Sequence, residues 1–223
     1  MEQSHALIEI PGVPGYVTYS WLAMAILITV AVLVNRSLNL VPRGLQNVVE
    51  TLIEALYNFC KDNLDHWAKP LFPLISTLGL YVLVCNLMGL IPGFEAPTAN
   101  INTTASCALP VFLATHYYGL RVHKLAYINQ FLGPIRKIYA LPLMIMMFLI
   151  ELIGHIARPV TLTIRLFGNM VSKHIILTVL GVLAPAIVPI IFLGLGTLVS
   201  VIQAFVFVLL ATLYLSGAVS EAH

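Results

Sequence analysis

Charge is what this sequence has least of. Only 9% of its 223 residues are Asp, Glu, Lys or Arg, whereas soluble domains carry about 25%. So little charge cannot cover the surface of a water-soluble domain. Apolar residues reach 60% and the mean hydropathy is +0.96, which defines an integral membrane protein. Cysteine is scarce too: Cys60, Cys85 and Cys107 lie in or beside apolar stretches without metal or redox spacing. An odd set of this kind makes no disulfide framework. A glycine-rich nucleotide loop, zinc-ligand spacing and a nucleophile elbow are all missing. No catalytic residue, metal or cofactor is therefore expected of this chain. A net charge of +2 gives no reason to expect nucleic acid as a partner. The start MEQSHALIEI lacks the basic opening of a cleavable signal, so the first apolar segment is expected to be retained.

What is present are long apolar runs. The expected fold is all-α: one integral membrane domain over residues 1–223, with five transmembrane segments and one amphipathic interfacial helix. Spans are expected at about 16–34, 71–91, 100–120, 139–183 and 189–219, since about 20 apolar residues cross a bilayer. The first has Tyr16, Tyr19 and Trp21 at one end, as in an interfacial aromatic belt. The third is more polar, with Asn102, Thr103, Thr104, Ser106 and His116. The fourth, about 45 residues, would be roughly 65 Å long as a helix, about twice the hydrocarbon thickness. It must tilt or leave the membrane. Pro185 and Pro189 make the turn that follows, so the last two segments form a long tilted helical hairpin.

Between the first two spans, Leu45, Val48, Val49, Leu52, Ile53, Leu56, Tyr57 and Cys60 recur with helical period over about 43–66. Gln46, Asn47, Glu50, Lys61 and Asp62 fill much of the other face. Such a helix lies on the bilayer surface or against a partner. Eight of the 11 basic residues fall in two connectors: Arg36, Arg43, Lys61 and Lys69, then Arg121, Lys124, Arg136 and Lys137. With five spans both connectors share one side. Positive charge stays inside, so the N-terminus is expected outside and the C-terminus in the cytoplasm.

The remaining three cations, Arg158, Arg165 and Lys173, lie in the fourth span. An arginine at a helix centre costs about 2.5–3.5 kcal/mol on insertion scales. Such a residue needs a counter-charge or a polar path. On a helical wheel drawn from Arg165, Arg158 falls at about +20°, Glu151 and Asn169 at about +40°, and His155 and Lys173 at about +80°. Ser172 falls at about −20° and Thr161 at about −40° on the same wheel. His174 lies at about 180°, off that face. A polar stripe along an apolar helix lines a hydrophilic path rather than facing lipid. Glu151 lies roughly 21 Å to the inner side of Arg165 and Lys173 roughly 12 Å to the outer side. On the last helix Gly196, Gln203, Leu210 and Tyr214 share a face. Run antiparallel, that helix would bring Gln203 beside Arg165 and Gly196 opposite Lys173. A histidine in a span is more often an interhelical hydrogen bonder than a carrier, and His116, His155 and His174 are weighed on that basis. Arg165 is different, because no carboxylate of this chain lies near its depth. Its partner is expected on another protein.

The runs RPVTLTIRLFGNMVSKH and LVSVIQAFVFVLLATLYLSGAV, with NLMGLIPG and PTANINTT before them, resemble the a-subunit family of the membrane sector of rotary F-type ATP synthases. The resemblance covers nearly the whole chain. It implies a stator subunit, not catalytic alone, that cradles a rotating ring of c subunits with a carboxylate opposite Arg165. It implies two offset half-channels for protons, with Asn169 and Gln203 lining the outer one near the arginine and Glu151 toward the inner one. Many members carry an acid at the position of His174, a histidine at that of Gly196 and an aspartate at that of Asn100. Here Lys173 and Gly196 make a different pair, and Lys173 is placed on the outer path. His155, Ser172, Tyr214, Asn100, His174 and Gly196 are secondary candidates. The implied partners are the c ring, b-type peripheral-stalk subunits, the lipid bilayer and the whole ATP synthase complex. A bacterial plasma membrane fits this best, with thylakoid or mitochondrial membranes as the alternative. A self-contained transporter would instead show inverted repeats and broken helices; the sequence shows neither.

Overall fold

The computed structural model describes residues 11–36, 38–39, 41–91, 93–124, 141–183 and 188–219. Regular structure among them is helical throughout, as expected for an all-α membrane protein. We label the long helices α1 (Gly15–Arg36), α2 (Leu45–Leu64), α3 (Ala68–Met88), α4 (Ile101–His123), α5 (Leu141–Leu183) and α6 (Val188–Val219). Short 3₁₀ turns at Asp65–Trp67 and Pro97–Ala99 precede α3 and α4. Outside the described residues lie most of the N-terminal polar stretch, Arg136 and Lys137 of the second basic connector, and the turn at Pro185.

Four stretches are long and apolar enough to cross a membrane: Gly15–Arg36, Leu45–Met88, Met144–Val182 and Ile190–Val219. The second joins α2 to α3, but Glu50, Glu54, Lys61 and Asp62 all sit on α2, so its apolar part is α3. At 23 residues α4 has the length, yet its Asn, Thr, Ser and His content keeps its hydropathy below that of the others.

Local chemistry sets the boundaries. Asn100 caps α4, its side-chain oxygen accepting from the Asn102 backbone N–H at 2.9 Å; this meets a donor that the first helical turn would leave unpaired. The α3 helix begins about one turn before the expected Leu71, with Pro70 in its first turn, where a missing N–H costs nothing. Asp65, at φ 45°, breaks the chain direction between α2 and α3.

Two buried clusters hold the bundle together. Val82, Cys107, Ala108, Val111, Leu162, Leu166, Phe207 and Ala211 join α3, α4, α5 and α6. Cys60, Leu64, Leu71, Ile75, Val208 and Leu215 join α2, α3 and α6. Where α3 crosses α6, a Cβ on Gly79 would run into the Val208 side chain. Small residues at such crossings let backbones approach, which is how helices bind each other without a hydrophobic drive between them.

Two expectations need correcting. Tyr19 is not part of an interfacial belt. It is fully buried, its hydroxyl donating to the Gly93 carbonyl at 3.3 Å and its ring packed on Phe94. A nearby carbonyl satisfies the phenol, so the ring can go inside. The α2 stripe is also split. Its second half packs on this chain, with Cys60 and Leu64 buried and Ser216 of α6 donating to the Asn63 carbonyl at 2.7 Å. Its first half stays open at Leu45, Val48, Leu52 and Ile53.

Candidate functional site

α5 and α6 run antiparallel, with matched side-chain pairs along the seam. Lys173 faces Gly196 and Ser200, Asn169 faces Gln203, and Arg158 faces Tyr214. The expected opposition of Lys173 and Gly196 is therefore present. Gln203 sits one turn beyond the expected level. Its carboxamide oxygen accepts from Asn169 Nδ2 at 2.7 Å, rather than lying beside Arg165.

The polar stripe is not a uniform lining. One edge turns inward: His155 is buried, and Lys173 is partly buried against α3 and α6. The other edge is open, with Ser172 and Thr161 exposed, and Asn169, between the two, is exposed as well. Arg158 and Arg165 lie half-buried along the border. The reason is that the apolar residues Leu162, Leu166 and Met170, centred at about +100° on the same wheel, face the core and pull that side of α5 inside.

At one end of the seam Lys173 Nζ donates to Ser200 Oγ at 2.9 Å and to the Asn86 carbonyl at 3.3 Å. Ser200 in turn donates to the Gly196 carbonyl at 2.8 Å. Asn86 is fully buried and its Oδ1 accepts from Thr98 Oγ1 at 2.8 Å. A glycine at 196 makes room for this arrangement. A Cβ there would lie 2.9 Å from Leu90 Cδ2 and 3.3 Å from Lys173 Cδ. Ser200, Asn86 and Thr98 were not read from the sequence. Ser200 had a signal, since it follows Gly196 by four residues and shares its face. Asn86 contributes through a backbone carbonyl, which no side-chain pattern reports.

At the other end Glu151 Oε1 lies 3.2 Å from His155 Nε2. The His155 ring meets His116 of α4 edge-on, with centroids 5.2 Å apart. Arg158 lies 5.7 Å over the Tyr214 ring, within cation–π range. His174 is exposed, away from the seam, and Asn100 serves as the α4 cap.

Arg165 stands between the two ends. Among the described residues its guanidinium forms no hydrogen bond and no ion pair. A seam of this kind defines a multi-pass membrane protein with a mid-span cation that no described residue neutralises. Comparison with known proteins supplies the family. The family model described as ATP synthase A chain matches residues 17–216. ATP synthase subunit a 3 of Pelobacter propionicus is 49% identical over 207 residues, covering 93% of this chain and 88% of that protein. ATP synthase subunit a of Geotalea uraniireducens is 48% identical, and that of Geobacter sulfurreducens 47%, with the same coverage. The chain belongs to the ATP synthase A chain family.

Proposed function

We propose that this chain is the proton-conducting stator subunit of a rotary ATP synthase. It forms two offset half-channels against the c ring and couples proton flow to ring rotation through Arg165. The observation that carries this reading is the solitary arginine: half-buried in an apolar helix, with no counter-charge among the described residues. Opposite charges ~4 Å apart attract by about 4 kcal/mol at an effective dielectric of ~20. A ring carboxylate at that distance offsets the roughly 2.5–3.5 kcal/mol cost of the arginine. It remains weak enough to be exchanged for the next carboxylate as the ring turns. A charge crossing about 100 mV gains about 2.3 kcal/mol, a comparable amount.

Asn169, Gln203 and Lys173 belong to the outer half-channel and Glu151 to the inner one, with Gly196 giving Lys173 its space. Ser172, His155, Tyr214, Asn100 and His174 are secondary positions. The chain is one membrane domain with five spans, of which α4 is the third. It sits in a bacterial plasma membrane with the N-terminus outside and the C-terminus cytoplasmic. Its partners are the c ring and b-type stalk subunits, and it is not catalytic by itself.

The test is the complex carrying Arg165→Ala, reconstituted in liposomes. ATP-driven proton pumping is expected to vanish while the c ring remains bound. Normal coupled pumping in that variant sinks the reading, and proton conduction by the purified chain alone would point to a self-contained transporter instead.

A further inference from the structure

The end of α3 leaves one backbone carbonyl without a donor from its own helix. The Gly89 N–H still bonds four residues back, to the Cys85 carbonyl at 3.3 Å. The next two N–H groups reach back only three, Leu90 to Leu87 at 3.0 Å and Ile91 to Met88 at 3.1 Å. This tightening skips Asn86, whose carbonyl takes no backbone N–H among the described residues. Asn86 is fully buried, so water cannot take the place of the missing donor. Two other helices supply it. Lys173 Nζ of α5 and Ser200 Oγ of α6 each lie 3.3 Å from that oxygen. The single Ser200 proton has a shorter acceptor, the Gly196 carbonyl at 2.8 Å, which leaves the Ser200 oxygen to receive Lys173 Nζ at 2.9 Å. The lysine is thus held by two acceptors at the C-terminal end of α3, where a helix favours a cation.

A competing place for that cation lies beside it. A cavity of about 170 Å³ opens between α5 and α6, lined by Lys173, Asn169 and Ser172 together with Leu177 and Phe192. Its apolar walls suit the methylene stem of a lysine. Asn169 donates through Nδ2 to Gln203, and neither Asn169 Oδ1 nor Ser172 Oγ receives a hydrogen bond among the described residues. Asn169 stands one turn, about 6 Å, nearer to Arg165 along α5. Resting on the stator reading above, we propose that Ser200 is a positioning residue of the outer half-channel. With the open Asn86 carbonyl it holds Lys173 on the α3 side of the seam and keeps its charge out of the cavity at Asn169. A lysine released from this anchor swings into the cavity, fills the space next to Asn169 and brings a second cation toward Arg165. There it competes with Arg165 for the ring carboxylate, and turnover slows.

The test compares Ser200→Ala with Ser200→Thr, which keeps the hydroxyl, in the whole reconstituted complex. Two readings are taken: acetylation of Lys173 by a small neutral amine-acetylating reagent, followed by mass spectrometry, and ATP-driven proton pumping. Ser200→Ala is expected to raise the acetylation rate and lower pumping, each by roughly threefold to tenfold. That ratio corresponds to about 0.6–1.4 kcal/mol, the range measured for interhelical bonds in membranes. Ser200→Thr should stay near the parent in both readings. Should Ser200→Ala fail to assemble, the same readings on Thr98→Val decide, because it cuts the 2.8 Å bond that holds the Asn86 side chain and should shift both readings in the same directions. The anchor is overturned if either reading is unchanged in the alanine variant, or in Thr98→Val where that one decides, and equally if threonine behaves as alanine does. Arg165→Ala is run alongside. Normal pumping in it removes the stator reading, whereas blocked pumping there beside a parent-like Ser200→Ala removes the anchor alone.

Discussion

Gly196→Val drives a side chain into the space that the Lys173 stem occupies. A Cβ alone would sit 3.3 Å from Lys173 Cδ and 2.9 Å from Leu90 Cδ2, and valine adds two methyls to it. Leu90 can rotate, but Lys173 is tied by bonds of 2.9 Å to Ser200 and 3.3 Å to the Asn86 carbonyl. In water, hydrogen bonds to a charged group contribute about 1.5–3 kcal/mol each. Interhelical bonds measured within membranes average only about 0.6 kcal/mol and reach about 1.7. The smaller scale applies here, so losing both costs about 1–3 kcal/mol, and overpacking adds about 1–3 kcal/mol. Lys173→Ala empties the same space and loses the same bonds. In the double variant the valine fills that space without a clash, so the two changes should be non-additive by about 1–3 kcal/mol in the favourable direction. The assay is a double-mutant cycle on detergent-induced unfolding of the purified complex, with passive proton conduction measured in parallel. If the double variant is as unstable as the sum of the singles, residue 196 and the lysine do not share space, and the account of why glycine stands there is wrong.

Asn169→Leu and Gln203→Leu each break the 2.7 Å bond across the seam. Gln203 is 6% exposed whereas Asn169 is open. Losing Asn169 therefore leaves a buried amide unpaired and should cost about 1–3 kcal/mol more than losing both partners together; equal costs would refute this. Gly79→Leu should prevent assembly by forcing α3 away from Val208 on α6, a loss of about 3 kcal/mol or more for overpacking at a helix crossing. Val208→Ala in the same chain should restore part of the assembled yield on a native gel, and no recovery would mean that the contact lies elsewhere.

The apolar runs, the break before α2 and the polar stripe on α5 were legible in the sequence, because each depends on composition and on the helical period of about 3.6 residues. The pairing of Lys173 with Gly196 was legible for a related reason: two antiparallel helices so close in sequence, one ending at Leu183 and the next starting at Val188, admit few registers. The one-turn difference at Gln203 marks the limit of that argument, since the register also depends on the packing of buried side chains on both helices, Leu166 and Phe207 among them. Tyr19 was misread because an aromatic at the end of a span carries no mark of what covers it, and the α2 stripe was half read because periodicity reports that a face is apolar, not what covers it.

By itself the sequence determined that this chain lives in a membrane and that its fifth long helix carries a stripe of charge. From it, Arg165 is also expected at a depth that no carboxylate of this chain reaches, and among the described residues no carboxylate pairs with it. Those are one-dimensional facts, set by hydropathy and by distance along a helix. Only the tertiary structure decided that the stripe straddles a border. Lys173 and His155 are drawn inside by the packing of Leu162, Leu166 and Met170, while Asn169 and Ser172 are left outside. It also decided which groups the inner edge meets: Ser200 and the Asn86 carbonyl at one end, His116 at the other. Those contacts cross from α5 to α3, α4 and α6, and a helical repeat carries no information about its neighbours.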